Sequence, residues 1–165
     1  MTRQIADISG NMVEVECIGC AIAQGTVEVR GGSVINTEYF DVSQDFEVPI
    51  PGFMIIATKR HLSSVDQFTD EEAAEFTRIL QETRRLQREV LGIESVYIHQ
   101  EEDTSDHFHV WMLPRHEWML QFGRKVESMR PIMDYARKNL KTEENLALLD
   151  VDTAKLKAAA SLLSF

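Results

Sequence analysis

The sequence predicts an α+β domain, with an antiparallel sheet of about five strands, one long helix packed against it, and a C-terminal helical extension. Three observations carry that expectation. The stretch SDHFHVWMLPRHEWM, residues 105–119, alternates its side chains as a strand does; residues 69–91 repeat apolar positions on one helical face; beyond Gly123 only helical patterns occur. At 165 residues the chain is long enough for one full core and short for two ordinary domains. The expected division is a domain over 1–123 and a helical extension over 124–165.

The first sixteen residues carry little pattern. CIGCAIAQG reads as a short helical turn that Gly25 stops. VINTEYFDVSQD mixes β-branched and aromatic residues with polar ones, as one or two strands would. Pro49, Pro51 and Gly52 interrupt the pattern, and FMIIA follows as a short buried strand that delivers Lys59, Arg60 and His61 at its end. The long helix has Thr69 as N-cap with Glu72 three residues on, which is the capping-box pattern, and Gly92 to close it. Phe76, Ile79, Leu80, Thr83, Leu86, Gln87 and Val90 form its inner face. SVYIHQ is a further strand, followed by the acidic loop EEDTSD and the strand bearing the histidines. RPIMDYARKNL, KTEENLALL and DTAKLKAAASLL then read as helices, with Pro131 in a first turn and Thr142 as a cap.

With 27 Asp and Glu against 17 Lys and Arg, the net charge is -10, which disfavours a nucleic acid polymer as partner but leaves a small phosphorylated ligand open. No apolar run approaches the length of a membrane span, and MTRQIADISG lacks a signal pattern, so a cytoplasmic location without membrane attachment is expected.

The chemistry concentrates in Cys, His and Trp. His107, His109 and Trp111 share one face of their strand, with Phe108, Val110 and Met112 on the other. Cys17 and Cys20 form a CxxC turn, which reads as metal-binding, redox-active or simply a reduced pair; no strand–helix unit precedes it as thioredoxin-like chemistry would want. A structural zinc takes four ligands, and His61 and His107, each at a strand edge, are the natural complement to the two thiolates. If a metal holds His107, His109 stands beside it with a free nitrogen. An oriented neutral imidazole is a nucleophile toward phosphorus, although a pair satisfied in a polar rim fits the same spacing. Arg115 and Lys59 are candidate sources of positive potential.

HFHVWMLPR, with CIGC upstream and PGFMIIATKRH between, resembles the histidine triad superfamily of nucleotide hydrolases and transferases, in its bacterial branch with an HxHxW signature. The resemblance spans about 17–115 and includes the strand order and the long helix. It implies that His109 attacks the α-phosphate of a nucleoside phosphate, with dinucleoside polyphosphates among the candidates, at a phosphoanhydride or phosphoramidate bond, giving a nucleotidyl-histidine that water cleaves. It also implies a structural zinc on Cys17, Cys20, His61 and His107, a ribose-binding Asp45, an amide donor at Gln100 beside His99, a phosphate-binding Ser105 one residue out of register, and a homodimer. Trp111 replaces the third histidine and cannot relay protons, which leaves His116 as a candidate acid. The rival reading is a nucleotide-binding or partner-binding module that keeps the zinc and has lost turnover.

Overall fold

The computed structural model describes residues 2–6 and 10–165. β1 (Arg3–Ala6) and β2 (Met12–Val15) pair antiparallel as a separate hairpin, an element that four-residue strands of weak pattern did not announce. α1 (Ile18–Ala23) follows, with Cys17 as its N-cap. β3 (Ser33–Asn36), β4 (Phe40–Gln44), β5 (Met54–Thr58), β6 (Val96–His99) and β7 (His109–Pro114) make the expected five-stranded antiparallel sheet, in the order β3-β4-β5-β7-β6.

Period-2 alternation gives the sheet two faces with different fates. Phe40, Val42, Met54, Ile56, Phe108, Val110 and Met112 enter one core under α2 (Asp70–Leu91), meeting Ile79 and Leu86. A bulge between Ser33 and Ile35 lets both Val34 and Ile35 join them. The helix begins as expected: the Thr69 side chain accepts from the Glu72 N–H while the Glu72 carboxylate accepts from the Thr69 N–H, and Gly92 closes the other end at φ 67°. Gln87, fully buried, donates its amide to the carbonyls of Gly52 and Met112 and so ties the helix to the turn before β5 and to β7.

The opposite face carries Asp41 and Ser43 of β4, Ile55 and Ala57 of β5, and His109 and Trp111 of β7, which all border one cavity. One end of this face is roofed by α3 (Met129–Asn139): Met129, Ile132, Met133 and Ala136 pack on Phe53, Leu113 and Met119. The remaining end stays open.

The residues beyond Gly123 therefore share cores with the sheet. KTEENLALL and DTAKLKAAASLL, expected as two helices, are one continuous α4 (Glu143–Ala160). No glycine or proline separates them, Leu149 is buried at the junction, and Asp150 accepts two hydrogen bonds from Arg30 at 2.7 and 2.8 Å. Leu156 and Ala160 enter the same core as Phe40 and Ile79. None of the described helices is long and apolar enough to cross a membrane.

Candidate active site and metal cluster

The Cys17 side chain caps α1 by accepting from the Cys20 N–H, so the CxxC turn is formed by the helix start itself. The end of β5 brings His61 to it, and the segment before β7 brings His107. The four ligand atoms of Cys17, Cys20, His61 and His107 lie within 4.8 Å of one another. The His107 Nδ1 is 3.3 Å from the Cys17 sulfur and 3.5 Å from the Cys20 sulfur, while His61 Nδ1 is 3.2 Å from Cys20.

The chemistry of this donor set fits zinc. His107 Nε2 lies 2.7 Å from the Thr58 carbonyl, which accepts only from an N–H; the proton is therefore on Nε2 and the Nδ1 lone pair faces the sulfurs. Burial above all holds the His107 pKa below its ordinary value, keeping the ring in its ligating form. On the outer side, Asp106 stands 3.8 Å from His61 Nε2, the carboxylate partner that a metal-bound imidazole commonly has. Burial, then the neighbouring Cys17 sulfur, pushes the Cys20 thiol up to about 11, an effect that a bound dication reverses.

Gly19, inside the CxxC turn, makes the approach possible. A Cβ there would fall 2.5 Å from carbons of the His107 ring. The expectation from sequence covered the four ligands and overlooked this residue, although a glycine between two metal-capable cysteines is a readable sign of close approach.

His109 follows on the cavity side. Its Nδ1 lies 2.9 Å from the His107 carbonyl, so that nitrogen carries the proton and Nε2 is left with a lone pair. Ser105 braces the same peptide: its hydroxyl accepts from the His107 N–H at 3.2 Å and lies 3.3 Å from the His107 carbonyl. His109, Ser105, Trp111 and Asp45 all line a cavity of about 610 Å³. Trp111 stands edge-on to Phe53, with 6.1 Å between ring centroids.

Asp45 is held in a turn, its carboxylate accepting from the N–H groups of Glu47 and Val48 at 2.9 and 2.6 Å. Burial outweighs these bonds and pushes its pKa up to about 6. Deeper in the cavity is Asp41, which accepts from Ser33 and from Asn36 at 3.1 Å. Arg137 enters the lining from α3, as Met133 does. Asp41 looked like any strand aspartate in sequence, and Arg137 is distant along the chain, so no local pattern marked either residue.

Other candidates lie elsewhere. His116 is seven residues from His109, roughly 20 Å along an extended chain, and its Nε2 donates to the Pro51 carbonyl at 2.9 Å, outside the cavity lining. Arg115 lies over the Tyr97 ring at 4.6 Å and donates to the Gly123 carbonyl and the Ser128 hydroxyl, holding the chain after β7. The Gln100 amide donates to the Glu101 carbonyl, and the His99 ring lies tilted against Trp111, 5.4 Å between centroids, with Glu101 at its Nε2; neither borders the cavity. Lys59 donates to Asn36 and to the Thr37 carbonyl.

No protein-family model and no curated protein sequence matches the chain. Solved structures do. A zinc-bound histidine triad family protein from Mycobacterium smegmatis superposes with a TM-score of 0.59 at 23% identity, over 87% of this chain and 97% of that one. A hypothetical histidine triad nucleotide-binding protein from Sulfolobus tokodaii gives 0.63 at 16% identity, over 88% and 92%. A Hit-like protein involved in cell-cycle regulation from Bartonella henselae gives 0.62 at 15%, over 87% and 96%. The chain has the histidine triad fold.

Proposed function

We propose that the chain hydrolyses or transfers nucleotides, cleaving a phosphoanhydride or phosphoramidate bond at the α-phosphate of a nucleoside phosphate through a nucleotidyl intermediate on His109. The observation that carries this reading is the 2.9 Å contact of His109 Nδ1 with the His107 carbonyl, which commits one ring proton to the backbone and turns the Nε2 lone pair into a lined cavity. The lone pair forms the N–P bond as the leaving group departs with its bonding electrons; water then attacks phosphorus and returns the pair to Nε2. Apolar walls from Phe53, Ile55 and Trp111 suit a nucleoside and exclude bulk water from the reacting atoms. Asp45 is assigned to the ribose and Ser105 to the phosphate end; dimer formation belongs to the same proposal.

Zinc on Cys17, Cys20, His61 and His107 would be structural, crosslinking α1 to the ends of β5 and β7; with four protein ligands it leaves no position for substrate. His107 thus acts on the reaction through its carbonyl.

One observation favours a rival. The Trp111 indole donates but cannot accept a proton and so cannot relay one, and the Gln100 amide is bonded to Glu101 outside the cavity, as expected of a binding module without turnover. Mixing the protein with a nucleoside phosphoramidate, quenching in base and mapping by mass spectrometry distinguishes them. A nucleotidyl group on His109, absent from His109→Ala, is the expected result; saturable binding with no adduct and no turnover overturns the hydrolytic reading.

A further inference from the structure

Glu101 follows the end of β6 by two residues and stands outside the cavity lining. Residues 102–106 line the cavity and lead into His107, and four of the five are exposed. Such a segment has no core of its own to fix it, so polar bonds must set its course. The half-buried carboxylate of Glu101 supplies them.

Each of its oxygens serves a different part of the site. Oε1 accepts from the Thr104 hydroxyl and closes the turn three residues on. Thr104 leads into Ser105, whose hydroxyl accepts from the His107 N–H at 3.2 Å and lies 3.3 Å from the His107 carbonyl. That carbonyl accepts from His109 Nδ1 at 2.9 Å. Oε2 lies 3.4 Å from His99 Nε2, and His99 pairs with Trp111 across β6 and β7 with 5.4 Å between ring centroids. The Thr104 bond above all, with smaller contributions from His99 and His109, holds the Glu101 carboxyl below its ordinary value, so both oxygens are acceptors at neutral pH. Two side chains of the cavity wall, His109 and Trp111, thus trace back to one carboxylate outside it.

We infer that Glu101 is a positioning residue: it fixes the His109 tautomer through Thr104, Ser105 and the His107 carbonyl, and it seats Trp111 through His99. Its effect on rate rests on the proposed chemistry at His109; its hold on the two rings does not. An imidazole attacks phosphorus through a lone pair, which His109 Nε2 has only while Nδ1 keeps the proton. If the loop loses its anchor, Ser105 no longer braces the His107 peptide, and the carbonyl that selects the tautomer turns with it. The ring then divides its time between two tautomers and loses its aim. Misplacement of a reacting group by about 1 Å costs on the order of 100-fold in rate. Substrate affinity depends on the cavity walls at large and changes little.

The test compares the parent with Glu101→Ala, Glu101→Gln, Thr104→Val and the double variant Glu101→Ala/Thr104→Val, at matched zinc content and thermal midpoint. Long-range proton–nitrogen spectra report the His109 tautomer, the ring-current shift of the His99 protons reports the seat of Trp111, and adenosine 5′-phosphoramidate serves as substrate. In the parent His109 is expected as the Nδ1–H tautomer alone. Glu101→Ala should mix the tautomers, move the His99 shift and lower kcat about tenfold or more with KM within about threefold. Glu101→Gln keeps an acceptor for Thr104 and a polar partner for His99, and should recover most of the rate. Thr104→Val should reproduce the His109 change without the His99 one, and the double variant should lose no more rate than the worse single one. Unmoved spectra or an unchanged kcat in Glu101→Ala, additive losses in the double variant, or a glutamine variant as impaired as the alanine one overturns the inference. If the parent itself forms no adduct on His109, the hydrolytic reading fails, and the two ring spectra alone decide whether Glu101 positions them.

Discussion

Gly19 lies against the imidazole of His107, so closely that a single methyl on its Cα would meet ring carbons at 2.5 Å. That contact seats the CxxC turn on the segment carrying the catalytic candidates. In Gly19→Ala either the turn or the ring must move; overpacking of this kind costs about 1–3 kcal/mol. Reduced zinc retention through a desalting column, and a lower urea midpoint, are the expected outcomes. A variant with unchanged metal content and midpoint would contradict the placement.

Metal removal is the companion experiment. The protein purified without added metal is expected to hold about one zinc per chain, and a chelator should destabilise it by roughly 4 kcal/mol relative to protein in free zinc near a thousand times Kd. Denaturant titrations with and without chelator measure the difference. Folding that ignores the chelator would leave the four side chains as an unmetallated cluster.

Glu72 couples the start of α2 to Arg60. Its carboxylate accepts from Arg60 at 3.0 and 2.7 Å and from the Thr69 N–H at 2.8 Å, and the Arg60 bonds, first, hold its pKa below the ordinary glutamate value of 4.5. A depressed folded-state pKa gives stability that is complete above the unfolded value and lost as pH falls through the folded one. The stability advantage of the parent over Glu72→Gln should therefore be constant near neutrality and shrink as pH falls below the ordinary glutamate value of 4.5 toward the lower folded-state one. Urea unfolding across pH 3–7 measures it.

Asp45 has the opposite sign. Burial raises it from 3.8 to about 6, so its protonated form favours the folded chain; that contribution is whole below about pH 4 and is lost as pH rises through 6. Relative to Asp45→Asn, parent stability should fall between those values and level off above them. NMR titration of the carboxyl carbon gives the pKa directly.

His116→Ala separates position from chemistry. The lost bond to the Pro51 carbonyl should cost about 1 kcal/mol, with kcat unchanged, because the ring is outside the cavity. A large fall in kcat at full folding would return His116 to the reaction.

The parts of the molecule that sequence made legible are those where a local rule decides. Thr69, Glu72 and Gly92 set α2 through backbone donors and a left-handed cap, and alternation put His107, His109 and Trp111 on one face. The metal set was legible because CxxC carries its own geometry and the two histidines flank predicted strands, His61 just after β5 and His107 just before β7. Less was visible where distant segments meet. Arg137 reaches the cavity only because α3 folds back over the sheet, and α4 is continuous because tertiary contacts at Leu149 and Arg30 hold its middle. The amide of Gln100 and the cation of Arg115 were residue types suited to a phosphate, but nearby carbonyls claim them first.

The packing of Trp111 gives the molecule an intrinsic optical reporter. Its indole forms part of the cavity wall, while the other tryptophan, Trp118, meets Phe122 edge-on and Tyr135 at a tilt and does not border the cavity. Emission from the two indoles is thus divided by geometry between an occupied-or-empty cleft and a constant background. Ligand entry can be followed in real time in the unlabelled chain, with Trp118→Phe leaving a single tryptophan.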